Sequence, residues 1–252
     1  MASDPILIIG ASRSGTSLLA RILSGSGMFL GADLESNHES RSLQAANRWV
    51  YLNADAGFDA PGPAIDELWE SAFMRHAITR TLHAQIHGRA YWGWPMWYGW
   101  RSVWWGFKDP RTTFTLPFWL EVLPHARVIH MRRQGADVAR SLMERRRRVE
   151  LRWGLGRVDG LALVRQHRAI ANLCATSRAA SLAHWQHYVG RASRHVHDLG
   201  PARALEVNYE TLLTDPAETC ERLGTFLGRR VRRWEARIDP DGHTRLYPDQ
   251  SV

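Results

Sequence analysis

Short uninterrupted apolar runs alternate along the chain with longer segments whose apolar residues recur at helical spacing. PILIIG, near the start, is the continuous pattern of a strand buried on both faces. It leads through a Gly-containing loop into TSLLARILSGSG, where Leu18, Leu19, Ile22 and Leu23 mark a helix that Gly25 or Gly27 stops. VWWGF, ARVIHM and ARALEV repeat the strand pattern; they precede KDPR, the helical RRQGADVARSLMERRRR, and NYETLL. A further helix is predicted over DPAETCERLGTFLG, with Asp215 as cap, Pro216 in the first turn, Glu218 completing a capping box and Gly228 at the end. Mostly helical stretches are expected at residues 36–53, 64–87 and 160–195. The Trp-rich YWGWPMWYGWRSVWWGF, residues 91–107, is broken by Gly and Pro and predicts an irregular loop up to its last apolar run.

Strands alternating with helices predict an α/β fold: a single domain over residues 1–252 with a central parallel sheet flanked by helices. In such a sheet, ligands bind at the carboxyl ends of the strands. The composition is that of a globular chain, with 44% hydrophobic and 23% charged residues and no run of membrane-spanning length. The N-terminus shows no leader pattern. Cys174 and Cys220 are too few for a disulfide framework and wrongly spaced for zinc, so the expected setting is a reducing cytoplasm, with no structural metal. The net charge of +8 rests almost wholly on Arg, whose planar fork grips phosphate and sulfate, although genome composition alone also produces Arg-rich chains.

The first loop sharpens that preference. GASRSGTS has the outline of G-x-x-x-x-G-K-[ST], with Gly10, Gly15 and Ser17 in place, but Thr16 stands where the lysine belongs. Backbone N–H groups at a helix start bind an anion without that lysine. A β,γ-phosphate chain with magnesium, by contrast, depends on it. Arg13 offers a charge from within the loop, and Ser12, Ser14, Thr16 and Ser17 offer hydroxyls. Further along, Arg133 ends a strand and Ser141 follows eight residues later, just over two helical turns, so the two side chains can converge on one anion.

With these residues the chain resembles the sulfotransferases that use 3'-phosphoadenosine 5'-phosphosulfate (PAPS). RSGTS, residues 13–17, matches their 5'-phosphosulfate loop [KR]-x-G-T-[ST], and RRQGADVARS carries their 3'-phosphate signature in Arg133 and Ser141. LEVNYETLLTDPAETCERLGTFLG is similar to their C-terminal YE-x-L...P...FLG unit, and GFKDPR to the Lys-x-Pro strand end beside the donor. Their Arg-Lys-Gly cluster over the 3'-phosphate is missing; Arg229, Arg230, Arg232, Arg233 or Arg245 is the candidate replacement.

The resemblance implies a metal-free transfer of a sulfonate from PAPS to a hydroxyl of a small-molecule or carbohydrate acceptor, by in-line displacement with a general base. It places Ser12, Arg13, Ser14, Gly15, Thr16, Ser17, Arg133, Ser141 and Tyr209 at the donor, Arg13 at its bridging oxygen, and Lys108 on the sulfonate side. Glu39 in ESNHES is the expected base, with His38 and then Asp109 as rivals. An inactive nucleotide-binding module of the same fold is the alternative, and a kinase a weaker one. The basic charge permits nucleic-acid binding, but no motif supports it. The Trp-rich stretch either completes the core or stacks on an acceptor, and the ERRRR run is either a solvated face or steers an anionic acceptor.

Overall fold

The computed structural model describes residues 4–57, 61–96, 103–153, 177–238 and 244–248. Four parallel strands, β1 (Ile6–Ile9), β2 (Gly106–Lys108), β3 (Arg127–Arg132) and β4 (Ala204–Asn208), lie in the order β2-β1-β3-β4. β1 is buried along its whole length, as its unbroken apolar run predicts. Leu7 and Ile9 face one core with Phe107, Phe118, Trp119 and Val128, while Ile6 and Ile8 face the other with Leu19, Ile22, Leu23 and Phe226. Helices therefore cover both faces of the sheet.

Helix α1 (Thr16–Gly25) follows β1; α2 (Arg41–Asn53), α3 (Gly62–Glu70), α4 (Ala72–Ile86) and the kinked α5 (Arg89–Met96) lead to β2. After β2 comes α6 (Thr112–Val122), after β3 come α7 (Gly135–Trp153) and α8 (Arg178–Leu199), and after β4 come α9 (Tyr209–Thr214) and α10 (Pro216–Leu227). The antiparallel pair β5 (Trp234–Ile238) and β6 (Thr244–Pro248) ends the described chain. From β1 the chain passes to β2 on one side, and from β3 to β4 on the other. The crevice between the carboxyl ends of β1 and β3 is thus the switch point where ligands bind in open α/β sheets.

Three boundaries depart from the sequence pattern. α2 begins at Arg41, not at residue 36, because Ser40 adopts extended φ/ψ and accepts from Leu43 N. The expected helix over residues 64–87 is two helices, divided at Ser71, which is extended and accepts from Met74 N. The Trp-rich stretch is not an irregular loop at its start but helical through Met96, with Gly93 (φ 70°) absorbing a kink. Tyr91, Trp92, Trp104 and Trp105 are core residues, and residues 97–102 lie outside the described chain. Of the helix expected at residues 160–195, only the part from Arg178 is described. In α10 the cap and both ends follow the sequence reading: Asp215 accepts from Glu218 N, Pro216 starts the helix and Gly228 ends it in left-handed geometry; the capping box is not closed, because Asp215 N donates to Thr211 O at 2.8 Å rather than to Glu218.

Candidate active site

The loop after β1 turns so sharply that side chains are excluded at two points. Gly10 (φ 140°) leaves β1 where a Cβ would stand 2.5 Å from Met131 O, and Gly15 (φ 97°) lies where a Cβ would meet the Tyr209 ring at 2.4 Å. Gly10 N donates to Thr113 Oγ1 at 3.1 Å, tying the loop to α6. Ser14 is buried, and its hydroxyl donates to Ala11 O at 2.7 Å, so Ser14 shapes the loop from within. Gly15 supplies no side-chain cap to α1; Leu18 N and Leu19 N donate to Gly15 O at 2.9 and 3.1 Å, and the N–H groups of Thr16 and Ser17 are left without a side-chain cap. A helix start of this kind favours an anion.

β3 brings the second half. Arg133 follows its last residue, and its guanidinium lies 4.3 Å from the centre of the Tyr209 ring while Nη1 donates to Arg13 O at 3.3 Å. Trp185 Nε1 donates to Arg133 O at 2.9 Å, and the same indole fills the space beside Gly135, where a Cβ would be 2.8 Å from the ring. Arg13, at φ 71°, sends Nε to Ser141 Oγ at 2.9 Å. Arg13, Arg133 and Ser141, drawn from three places in the sequence, therefore meet at one point. Burial, and next to it the charges of Arg145, Arg148 and Arg133, depress the pKa of Arg13. The buried Nε of Arg133 has no hydrogen-bond partner among the described residues. Crowded guanidinium groups with an unmet donor fit the phosphate end of a nucleotide.

β2 carries the third part. Because Lys108 pairs with Ile8 in register, its side chain emerges beside the loop. Its ammonium is buried, donating to Ser17 Oγ at 3.1 Å and to Glu39 Oε1 at 2.6 Å. Ser17 Oγ accepts this bond, so its own O–H is left to donate to an anion at the helix start. Glu39 arrives on a turn before α2: Glu35 N donates to Glu39 O at 2.8 Å, His38 N to Glu35 O at 2.9 Å, and His38 takes φ 63°. Its other carboxylate oxygen accepts from Gln44 Nε2 at 2.6 Å. Two of the roughly four acceptor positions of the carboxylate are thus used. Glu39 lines a cavity of about 240 Å³ together with Ser12, Glu35, Gln44, Arg48, Arg111 and Arg145.

The two rivals for the base are placed differently. Asp109 is 1% exposed, accepting from Asn47 Nδ2 at 2.9 Å and from Arg111 N and Nη1, so no acceptor hydroxyl reaches it. Burial pushes its carboxyl up against the opposing pull of Arg111. His38 is half-buried, and burial followed by the charges of Lys108 and Arg21 lowers its pKa, so its ring is neutral at pH 7. Two of the candidate C-terminal arginines lie elsewhere. Arg229 stacks on Trp104 and Arg232 N donates to Ser26 Oγ, both at the far end of α1, about 15 Å from its N-terminus at 1.5 Å per residue. The side chain of Arg245 lies outside the described residues.

Sequence reasoning missed Gln44 and Asn47, and it raised Arg145 only as one residue of the ERRRR run. Asn47 is wholly buried on the core face of α2; it donates to Asp109 and Thr112 Oγ1 and accepts from Thr115 Oγ1 and Trp119 Nε1. The signal was an amide in the apolar stripe Leu43, Ala46, Asn47, Val50. A stronger signal was also available: Lys108 is the sole lysine of the chain, every other one of its 33 basic residues being Arg. A compact ammonium fits between Ser17 and Glu39 where a planar fork does not. Among the described residues no helix is long and apolar enough to cross a membrane, and no cluster of three or more His, Cys, Asp or Glu could hold a metal.

A search of curated proteins found no match. Among solved structures, a sulfotransferase from Alicyclobacillus acidocaldarius is similar over 100% of this chain and 86% of its own, at TM-score 0.54 and 18% identity. The sulfotransferase domain of an olefin synthase from Synechococcus PCC 7002 is similar over 90% of this chain and 74% of its own, at TM-score 0.50 and 18% identity. A sulfotransferase from Mycobacterium tuberculosis H37Rv is similar over 96% and 70%, at TM-score 0.50 and 14% identity. At these identities the likeness is one of fold, the P-loop-like sulfotransferase fold with its central parallel sheet. The profile of the sulfotransferase family, however, matches residues 5–233, from the start of β1 through the whole sheet and site, and the chain belongs to that family.

Proposed function

We propose that the protein transfers a sulfonate from PAPS to a hydroxyl of a small-molecule or carbohydrate acceptor, in the cytoplasm. The observation that carries this reading is the position of Lys108, which touches Ser17 of the anion loop and Glu39 of the neighbouring cavity at once. PAPS supplies an activated sulfonate: the bond from sulfur to the phosphate oxygen breaks as the bond from sulfur to the acceptor oxygen forms. The N-terminus of α1 and the Ser17 hydroxyl hold the 5' end of the donor, and Arg133 and Ser141 hold its 3'-phosphate. Arg13 rests on Ser141 in this structure. With Ser141 engaged elsewhere, its guanidinium is released to stabilise charge on the departing phosphate. Lys108 keeps Glu39 at the cavity wall, and Glu39 takes the proton of the acceptor hydroxyl through a free carboxylate lone pair.

The test combines binding and transfer. PAP, the desulfated donor, should raise the melting temperature, and ATP with magnesium or nucleic acid should not. Labelled PAPS should pass its sulfonate to acceptors. Stabilisation by ATP with magnesium alone would overturn the reading, and PAP binding without transfer to any acceptor would leave the nucleotide-binding module.

A further inference from the structure

We infer that the acceptor is itself an anion, a polyhydroxylated compound carrying a carboxylate, phosphate or sulfate besides the hydroxyl it offers; this rests on the sulfonate transfer proposed above. The charges around the cavity beside Glu39 do not cancel. Lys108 neutralises Glu39 at 2.6 Å, and Asp109 neutralises Arg111 at 3.1 Å. Two cations then remain in the lining, Arg48 and Arg145, against one carboxylate, Glu35. Arg48 donates only to the neutral Gln44, at 3.0 Å, among the described residues. Arg145 has no hydrogen bond or ion pair among them.

Helix geometry makes this arrangement specific. Arg145 stands one turn beyond Ser141 on α7, and its charge is felt at Arg13, so it borders both the donor clamp and the acceptor cavity. Arg48 stands one turn beyond Gln44 on α2 and closes the cavity from the opposite element. The ERRRR run is therefore not wholly a solvated face: its second residue, Arg145, lines the site. None of the described lining residues is aromatic, and the described aromatic residues of the Trp-rich stretch lie in the core. A flat apolar phenol would leave Arg48 and Arg145 without partners in a cavity walled by Asn37, Gln44 and Glu35. A sugar acid or a polyol phosphate satisfies the amides with hydroxyls and the guanidinium groups with its anion.

Matched acceptors test this with saturating labelled PAPS: methyl glucuronide against methyl glucoside, glycerol 3-phosphate against glycerol, and 4-nitrophenol. In at least one pair the anionic member should show a kcat/KM at least tenfold above the neutral one, and the advantage should shrink as salt rises. Arg145→Gln and Arg48→Gln should each raise KM for the anionic member at least fivefold more than for the neutral member, and Arg48→Gln, which lies on α2 away from the donor clamp, should leave the PAP dissociation constant within twofold of wild type. Preference for the neutral member or for 4-nitrophenol overturns the inference. Equal effects of the substitutions on both members do the same, as does PAP binding without transfer to any anionic acceptor. Failure of the wild-type protein to bind PAP would instead overturn the donor assignment.

Discussion

Replacing Glu39 by Gln tests whether the buried contact with Lys108 is structural, chemical or both. In the native site the ammonium is 2% exposed and the carboxylate 8%, 2.6 Å apart. Glu39→Gln keeps the size of the side chain but leaves Lys108 as a buried charge whose remaining native partner among the described residues is Ser17 Oγ at 3.1 Å. Removing one partner of a buried pair costs about 3–5 kcal/mol, and the Ser17 bond places this case near about 3. Lys108→Met strands the carboxylate instead, but Gln44 still donates to it at 2.6 Å, so the cost is of similar size, about 3 kcal/mol. The double variant removes both charges and should be destabilised by much less than the sum, with a coupling of roughly 2–3 kcal/mol in urea unfolding. Turnover should behave otherwise. A lost general base costs about 100- to 10,000-fold, so Glu39→Gln and the double variant should both be that slow, with PAP affinity near wild type. Stabilities that add within about 0.5 kcal/mol would refute the ion pair. Recovery of turnover in the double variant would show that Glu39 only positions its neighbours and that His38, neutral at pH 7, is the base.

Further outcomes follow from other contacts. Arg133→Ala and Ser141→Ala should each weaken PAP binding by about 1.5–3 kcal/mol in calorimetry, and a double variant that is strictly additive would mean the two do not share an anion. Gly15→Ala forces a Cβ to within 2.4 Å of the Tyr209 ring at φ 97°, so it should cost on the order of 1–3 kcal/mol and abolish the PAP-induced melting shift; normal PAP binding would refute the loop geometry. Asn47→Ala removes four buried hydrogen-bond partners and should cost about 3 kcal/mol or more, while a loss under about 1 kcal/mol would show the network is solvated. His195, whose Nε2 lies 2.9 Å from Thr113 O beneath the loop after β1, is held down to about 4, first by burial and then by Arg191. Its folded pKa lies below the unfolded value of about 6.5, so its contribution is complete above pH 6.5 and is lost as pH falls toward 4. The urea midpoint should fall across that window in the native protein and stay flatter in His195→Gln; parallel curves would exclude His195 as the cause.

The sequence by itself determined what is local. An unbroken apolar run dictates a strand buried on both faces, and β1 is one. A loop that begins at Gly10 and reaches Gly15 before a helix without a side-chain cap favours an anion, because the N–H groups of Thr16 and Ser17 have no acceptors within the helix. The Arg133–Ser141 spacing and the Asp215–Gly228 helix were likewise written in a few consecutive residues, since capping and helical pitch act over one or two turns. Tertiary structure alone decided which of these pieces meet. Glu39 and Lys108 are 69 residues apart in the chain, and only the pairing of β2 beside β1, with Ile8 opposite Lys108, brings the ammonium to the turn before α2. That turn was hidden because the helical periodicity runs into it, and the Ser40 cap that ends it depends on its bond to Asp33 at 2.7 Å. Arg145 looked like any residue of a charged run, for a helix face acquires meaning only from the element opposite it, here α2 with Arg48. Periodicity fixes which residues share a face; strand order and register fix what that face sees.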